Sequence, residues 1–227
     1  MIRKFSPKME VLPPEQKQLW AHLRPTAHLG FVLYGGTAIA LQIGHRSSVD
    51  FDFFTDQPLD RSRMDLEFPF LSDSTLLQDQ PNTLSFLVPS GSGQRNSVKV
   101  SFFGGIDHGR VGEPRATEDE VLQVASLDDL MATKLKTVLQ RIESKDYRDI
   151  AAMTEAGVSL SKGLASASLI YGTATFQPAE CLKALVYFEG GDLNELSVQD
   201  KRELIRAVSS VRELPGVEIV SKSLALS

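Results

Sequence analysis

Hydrophobic and polar positions repeat with one period in the first half of this 227-residue chain and with another in the second. In VDFDFF (49–54), Val49, Phe51 and Phe53 fall on one face and Asp50 and Asp52 on the other, the period-two pattern of a strand. Upstream, FVLY (31–34) is an unbroken apolar run ending at Gly35-Gly36 and predicts a buried strand. TAIALQI (37–43), rich in Ala and Leu, predicts a helix that Gly44 terminates. The local order is therefore strand, glycine turn, helix, strand. PPEQKQLWAHL (13–23) reads as a short helix with proline in its first turn, and 58–67 as another. STLLQD, NTLSFLV and SVKVSFF (97–103) read as hairpin strands, with turns near Pro81-Asn82 and Gly91-Ser92-Gly93. Residues 104–115 read as loop.

From Ser126 the period becomes helical. Ser126 and Asp129 form a capping-box pattern, with Asp in place of Glu, at the head of a helix expected to reach about Ile142. Helices are expected over 145–156, 159–170, 178–189 and 197–211, the last with a second such cap at Ser197 and Asp200. The predicted fold class is α+β. A small mixed sheet with flanking helices occupies residues 1–125, and an all-helical region, 126–227, packs on it without a flexible linker.

Composition narrows the function. The chain is 42% hydrophobic and 23% charged, ordinary for a globular protein large enough to bury a core. No apolar run approaches the ~20 residues of a membrane span, and the N-terminus lacks a signal-peptide apolar region. Cys181 is the only cysteine, so no intramolecular disulfide forms and a cytoplasmic setting is expected. The histidines, His22, His28, His45 and His108, are scattered, which excludes the common Cys/His zinc spacings. Net charge is −5, with neither half basic, so the chain as a whole is no electrostatic nucleic-acid binder. One segment, Lys134 to Arg148, is locally basic, with an excess of +3; it reads either as a solvated face or as a surface for NTP or RNA. Cys181 and Trp20 read as core residues.

The candidate chemistry begins with Asp50 and Asp52. Residues i and i+2 of a strand point the same way, about 6.5–7 Å apart, and two like charges that close call for a cation. Mg²⁺ accepts such oxygen ligands and leaves positions open for phosphate. A bare DxD is also a common polar strand face. Gly35-Gly36-Thr37, between strand and helix, allows close backbone approach to an anion, and Thr37 can cap the helix or reach a phosphate oxygen; an ordinary turn is the plain alternative. Arg46 is a fixed cation nearby, suited to a triphosphate or to a salt bridge with Asp50 or Asp52. His45 suits an orienting role better than that of a base.

The fixed order of these elements carries more than each alone. GGTA, then GHRSS-V-DFDFF, resembles the AbiEii/AbiGii toxin family of nucleotidyltransferases, within the DNA polymerase β-like superfamily. A second match, Asp129-Leu-Met-Ala-Thr-Lys134 and Lys145-Asp146-Tyr147-Arg148-Asp149 after Arg141, is similar to the family's lysine helix and [KR]D-x-x-D element. The resemblance spans about residues 30–155 and implies a nucleotidyltransferase-type sheet. It implies a Mg²⁺-dependent transfer of NMP from an NTP to a hydroxyl of RNA, tRNA included, or of protein, with pyrophosphate leaving. It implies metal binding by Asp50 and Asp52, and nucleotide binding by Gly35, Gly36, Thr37, Arg46, Ser48 and Lys134. Catalytic roles would fall to Asp50, Asp52, Lys134 and Asp146, with Asp149 beside Asp146. It also implies an antitoxin encoded nearby that forms no stable complex.

One position departs from the superfamily pattern. A third carboxylate is expected in a strand of the form hKh[DE]h, and Val98-Lys99-Val100-Ser101-Phe102 has Ser101 there. This predicts weaker metal binding and slowed or absent transfer. Asp107 is a poor substitute, because GGIDHG reads as a turn. Two rival readings follow: a nucleotidyltransferase-like domain that binds nucleotide or RNA without transfer, and an interaction scaffold with an incidental DxD.

Overall fold

The computed structural model describes residues 3–90 and 97–226; the turn expected at Gly91-Ser92-Gly93 lies outside them. By its contacts the chain forms two units. The first runs through Gly109 and adds Glu113–Ala125 and the C-terminal residues from Ser221. The second holds Ser126–Val220 and takes in Arg110–Gly112.

The first unit is built on one mixed sheet. In chain order it contains β1 (Lys4–Phe5), α1 (Pro14–Leu19), α2 (Pro25–His28), β2 (Val32–Tyr34), α3 (Gly35–Ile43) and β3 (Asp50–Phe54). These are followed by α4 (Arg61–Glu67), β4 (Thr75–Gln80), β5 (Thr83–Pro89), β6 (Ser97–Phe103), β7 (Arg115–Thr117) and β8 (Gln123–Val124). The strand order is β1-β7-β8-β2-β3-β6-β5-β4. β3 sits in the middle, antiparallel to β2 and parallel to β6.

The alternation in β3 sets the two faces. Phe51 and Phe53 are fully buried, and so are Val100 and Phe102 on the neighbouring β6. Their rings stack, Phe51 on Phe53 at 6.2 Å and Phe53 on Phe102 at 5.6 Å, with Trp20, Phe31 and Phe68 packed against them. Each such phenylalanine contributes roughly 1.5–3 kcal/mol by leaving water. Trp20 is core as expected, and its indole N–H also donates to Asp119 at 2.7 Å. Asp50, Asp52 and Phe54 take the opposite, half-buried face.

Three strands were not foreseen. β1, β7 and β8 have two or three residues each, too few for a period to register, and β7 and β8 fall in or beyond the stretch read as loop. They exist because distant partners fix them: Leu33 pairs with Val124, and Phe5 with Thr117.

The second unit is helical: α5 (Leu127–Thr137), α6 (Ser144–Glu155), α7 (Leu160–Tyr171), α8 (Pro178–Val186) and α9 (Val198–Ser210). α5 is shorter than expected, stopping at Thr137. α5 packs on α7 at Gly163, where an added Cβ would collide with Met131. Ser197 and Asp200 complete a reciprocal capping box. Ser126 completes only half of one. Its hydroxyl accepts the Asp129 N–H at 3.1 Å, but the Asp129 carboxylate instead takes the Val111 and Gly112 N–H groups, at 2.8 and 3.1 Å. Those two backbone donors offer a carboxylate more than the single N–H of its own cap would.

Cys181 is buried, and burial pushes its thiol up to about 12. It is expected to resist alkylation by iodoacetamide at neutral pH and to react only on unfolding; rapid labelling of the native protein would contradict that packing.

Candidate nucleotide site

The site grows from the β2–α3 junction. Gly35 follows Tyr34 directly and has φ of 75°, a left-handed conformation that side chains rarely adopt. A Cβ there would stand 2.8 Å from Asp52 Oδ2. At Gly36 a Cβ would collide with Arg46 Nη2 and lie 3.3 Å from Ser48 Oγ. The turn, the Asp52 carboxylate, the Arg46 guanidinium and the Ser48 hydroxyl thus converge on one small cradle. α3 ends where expected: Gly44 has φ of 82° and its N–H bonds the Ala40 carbonyl at 2.7 Å.

Thr37 does not cap α3. Its buried hydroxyl lies 2.8 Å from that of Ser48 and also bonds the Asp50 backbone carbonyl. This ties the first turn of α3 to the loop before β3 and to β3 itself. Thr37 and Ser48 therefore fix the cradle from behind, at 2% and 7% exposure.

Asp50 and Asp52 share the open face of β3. In register with them on β6 stand Lys99 and Ser101. Paired residues of adjacent strands share a face, so position 101 is beside Asp52, where a third acid would stand. Ser101 is fully buried and bonded to Ser85 of β5 at 3.1 Å. Asp107 lies in the irregular segment after β6 and is exposed. Two hard carboxylate oxygen donors on one strand face fit part of a Mg²⁺ shell, which phosphate and water would complete. Among the described residues no group of three or more His, Cys, Asp or Glu side chains comes together.

Gly36→Ala is expected to leave the thermal midpoint nearly unchanged, because Arg46 is a flexible side chain that can move aside. For the nucleotide that the sequence leads one to expect here, affinity should fall about tenfold, since the methyl fills the cradle and displaces the guanidinium; calorimetric titration of both proteins reads this, and equal affinities would place the nucleotide elsewhere.

In the second unit the residues of the second motif also come together. Lys134 Nζ lies 2.6 Å from Asp146 Oδ1 and 2.7 Å from Asp149 Oδ2, and both carboxylates are fully buried. Arg141 Nε donates to Asp146 Oδ2 at 2.8 Å. Burial pushes the Asp146 carboxyl up, but its bonds to Arg141 and Lys134 outweigh this and hold it below the usual carboxylate range. The rest of the basic segment is also engaged. Lys145 pairs with Glu143 at 2.7 Å and Arg148 with Glu195 at 3.6 Å, while Lys136 bonds the Thr175 carbonyl. The excess charge read from the sequence is thus largely matched by acids from within and beyond the segment.

A depressed folded pKa makes Asp146 stabilising above its unfolded value of about 3.9, and that stability disappears as pH falls through the lower folded value. Asp129 acts oppositely: burial raises its carboxyl, so its contribution improves as pH falls toward the carboxylate range. In urea titrations, the stability difference between wild type and Asp146→Asn should be constant from pH 5 to 7 and shrink below about pH 4. A constant difference throughout would contradict the assigned ion pairs.

The mixed sheet and its glycine turn facing an aspartate strand are a nucleotidyltransferase fold. Two solved structures share it. One is a Helicobacter pylori protein with a provisional nucleotidyltransferase assignment, at TM-score 0.58 and 17% identity, with 86% of this chain and 92% of that one covered. The other is MenT4, a nucleotidyltransferase toxin of Mycobacterium tuberculosis H37Rv, at TM-score 0.50 and 13% identity, covering 87% and 91%. An uncharacterised Aquifex aeolicus protein is 30% identical over 188 residues, 80% of this chain and 85% of that one. The profile described as "Nucleotidyl transferase AbiEii toxin, Type IV TA system" matches residues 18–214, and the chain belongs to that family. The match reaches well into the C-terminal helices, beyond the span that the motifs marked.

Sequence reasoning missed the place of Lys99 and Ser85. Lys99 was seen only as one letter of a pattern. Its position beside Asp50 depends on strand register, which no local signal carries.

Proposed function

We propose that this chain transfers the nucleoside monophosphate of an NTP to a hydroxyl of RNA or protein, releasing pyrophosphate, with Mg²⁺ held by Asp50 and Asp52. The observation that carries this is the convergence of the Asp52 carboxylate and Arg46 guanidinium on the Gly35-Gly36 turn. Mg²⁺, when bound, would polarise the phosphoryl oxygens, offset their negative charge and make the attacked phosphorus more electrophilic. The chain's residues do the positioning. Gly35 and Gly36 let the backbone approach the phosphates, Arg46 offsets their charge, and Thr37 and Ser48 hold the turn against β3. Within the second unit, Lys134 and Asp146 enter as the buried charged pair of the second motif. Their mutual ion pair supports a shared positioning role, since each orients the other.

The type IV class of the family supports a genetically paired antitoxin that needs no stable complex. Among the described residues no helix is long and apolar enough to cross a membrane; a cytoplasmic setting belongs to the proposal. The test is incubation with each α-³²P-labelled NTP, Mg²⁺ and either total tRNA or lysate. Label on a macromolecule that vanishes in Asp50→Asn/Asp52→Asn supports transfer. Ser101 favours a second reading, a domain that binds nucleotide without transfer. Nucleotide binding with no label moved would select it, and no nucleotide binding at millimolar concentration would sink both.

A further inference from the structure

We propose that Lys99 supplies the second positive charge of the nucleotide site, so that this chain takes one divalent cation where a three-carboxylate site would take two. The inference rests on the nucleotide-binding reading above and specifies its charge.

The strand pairing carries the argument. Along the open face, β3 presents Asp50 and then Asp52, and β6 presents Lys99 and then Ser101 directly beside them. A third acid at position 101 would add a third negative charge next to Asp52 and give a second metal ion a ligand of its own. The residue there is a neutral hydroxyl, fully buried and bonded to Ser85. It brings no charge to the cluster. One step back on the same strand and face, Lys99 is exposed and in register with Asp50. Two carboxylates thus share this face with two cationic residues, Lys99 in register with Asp50 on β6 and Arg46 beside Gly36. The formal charges of these four side chains cancel before any metal arrives. One divalent cation shared by Asp50 and Asp52 leaves the face positive, which suits a triphosphate. A second would meet like charge and no anionic ligand. An ammonium on a flexible stem can follow the phosphates as they move, without the fixed coordination shell that a second Mg²⁺ would demand.

The experiment measures binding, not turnover. Mn²⁺ is titrated into the full chain, with the free ion followed by electron paramagnetic resonance, in the presence of the α,β-methylene analogues of the four nucleoside triphosphates. Calorimetry reads analogue affinity. Wild type should bind one Mn²⁺ per chain. Lys99→Met should weaken the analogue about tenfold or more, and Lys99→Arg should restore most of that loss. Ser101→Asp combined with Lys99→Met should admit a second Mn²⁺. Lys99 is exposed, so unchanged thermal midpoints are expected for its variants. Two Mn²⁺ per wild-type chain, or analogue affinity unaltered in Lys99→Met, would overturn the proposal. Asp50→Asn/Asp52→Asn separates the layers. Loss of Mn²⁺ in that variant upholds the underlying site whatever Lys99 does, and retention of Mn²⁺ sinks both.

Discussion

Asp52→Asn is expected to lower nucleotidyl transfer by about a thousandfold while the protein stays folded. The substitution keeps the shape of the side chain and removes its charge. Asp52 is only half-buried on the open face of β3, so the apolar packing on the other face is untouched. What it loses is the charge beside the Gly35 turn, and with it the anionic metal ligand of the proposed mechanism. Withdrawing much of a metal's charge stabilisation costs several kcal/mol in the transition state, and about 4 kcal/mol corresponds to a thousandfold. The measurement is the initial rate of label transfer at saturating Mg²⁺, with far-ultraviolet circular dichroism as the fold control. A rate within threefold of wild type would remove Asp52 from the chemistry.

Lys134→Met is expected to destabilise the helical unit by about 3–5 kcal/mol, because it leaves two carboxylates in the interior without their shared cation. Asp146 keeps Arg141, whose side chain is 45% exposed and held less firmly. Asp149 loses its 2.7 Å partner outright. The triple change Lys134→Met/Asp146→Asn/Asp149→Asn should recover part of the loss, since removing all three charges avoids the unpaired burial. Chemical denaturation of the three proteins reads this directly. If Lys134→Met were as stable as wild type yet inactive, the lysine would belong to substrate binding alone. Loss of stability together with activity would identify the pair as a positioning device for the second motif.

The first unit shows where local information suffices. Strict alternation in VDFDFF, the apolar FVLY run and the Gly35-Gly36 break predict β2, α3 and β3 to within two residues at each end. Each of those signals is a short-range one: side-chain period, backbone freedom at glycine, and helix propensity. The C-terminal helices follow from the same kind of evidence, and both serines expected at helix N-caps accept their N3 N–H. β1, β7 and β8 were invisible because a two- or three-residue strand is defined by its partner. The Asp129 carboxylate missed its expected capping role for a related reason, since its partners at Val111 and Gly112 lie 18 and 17 residues away in sequence.

The sequence by itself determined the elements and the residues that could bear chemistry, because the two aspartates, the glycine pair and the lysine motif have a fixed local order. Only the tertiary structure decided who faces whom. Register places Lys99 beside Asp50 and Ser101 beside Asp52, side-chain geometry seats Arg46 against Gly36, and burial closes the Lys134 ion pairs. Those relations depend on distances between residues far apart in the chain, which neither periodicity nor propensity encodes.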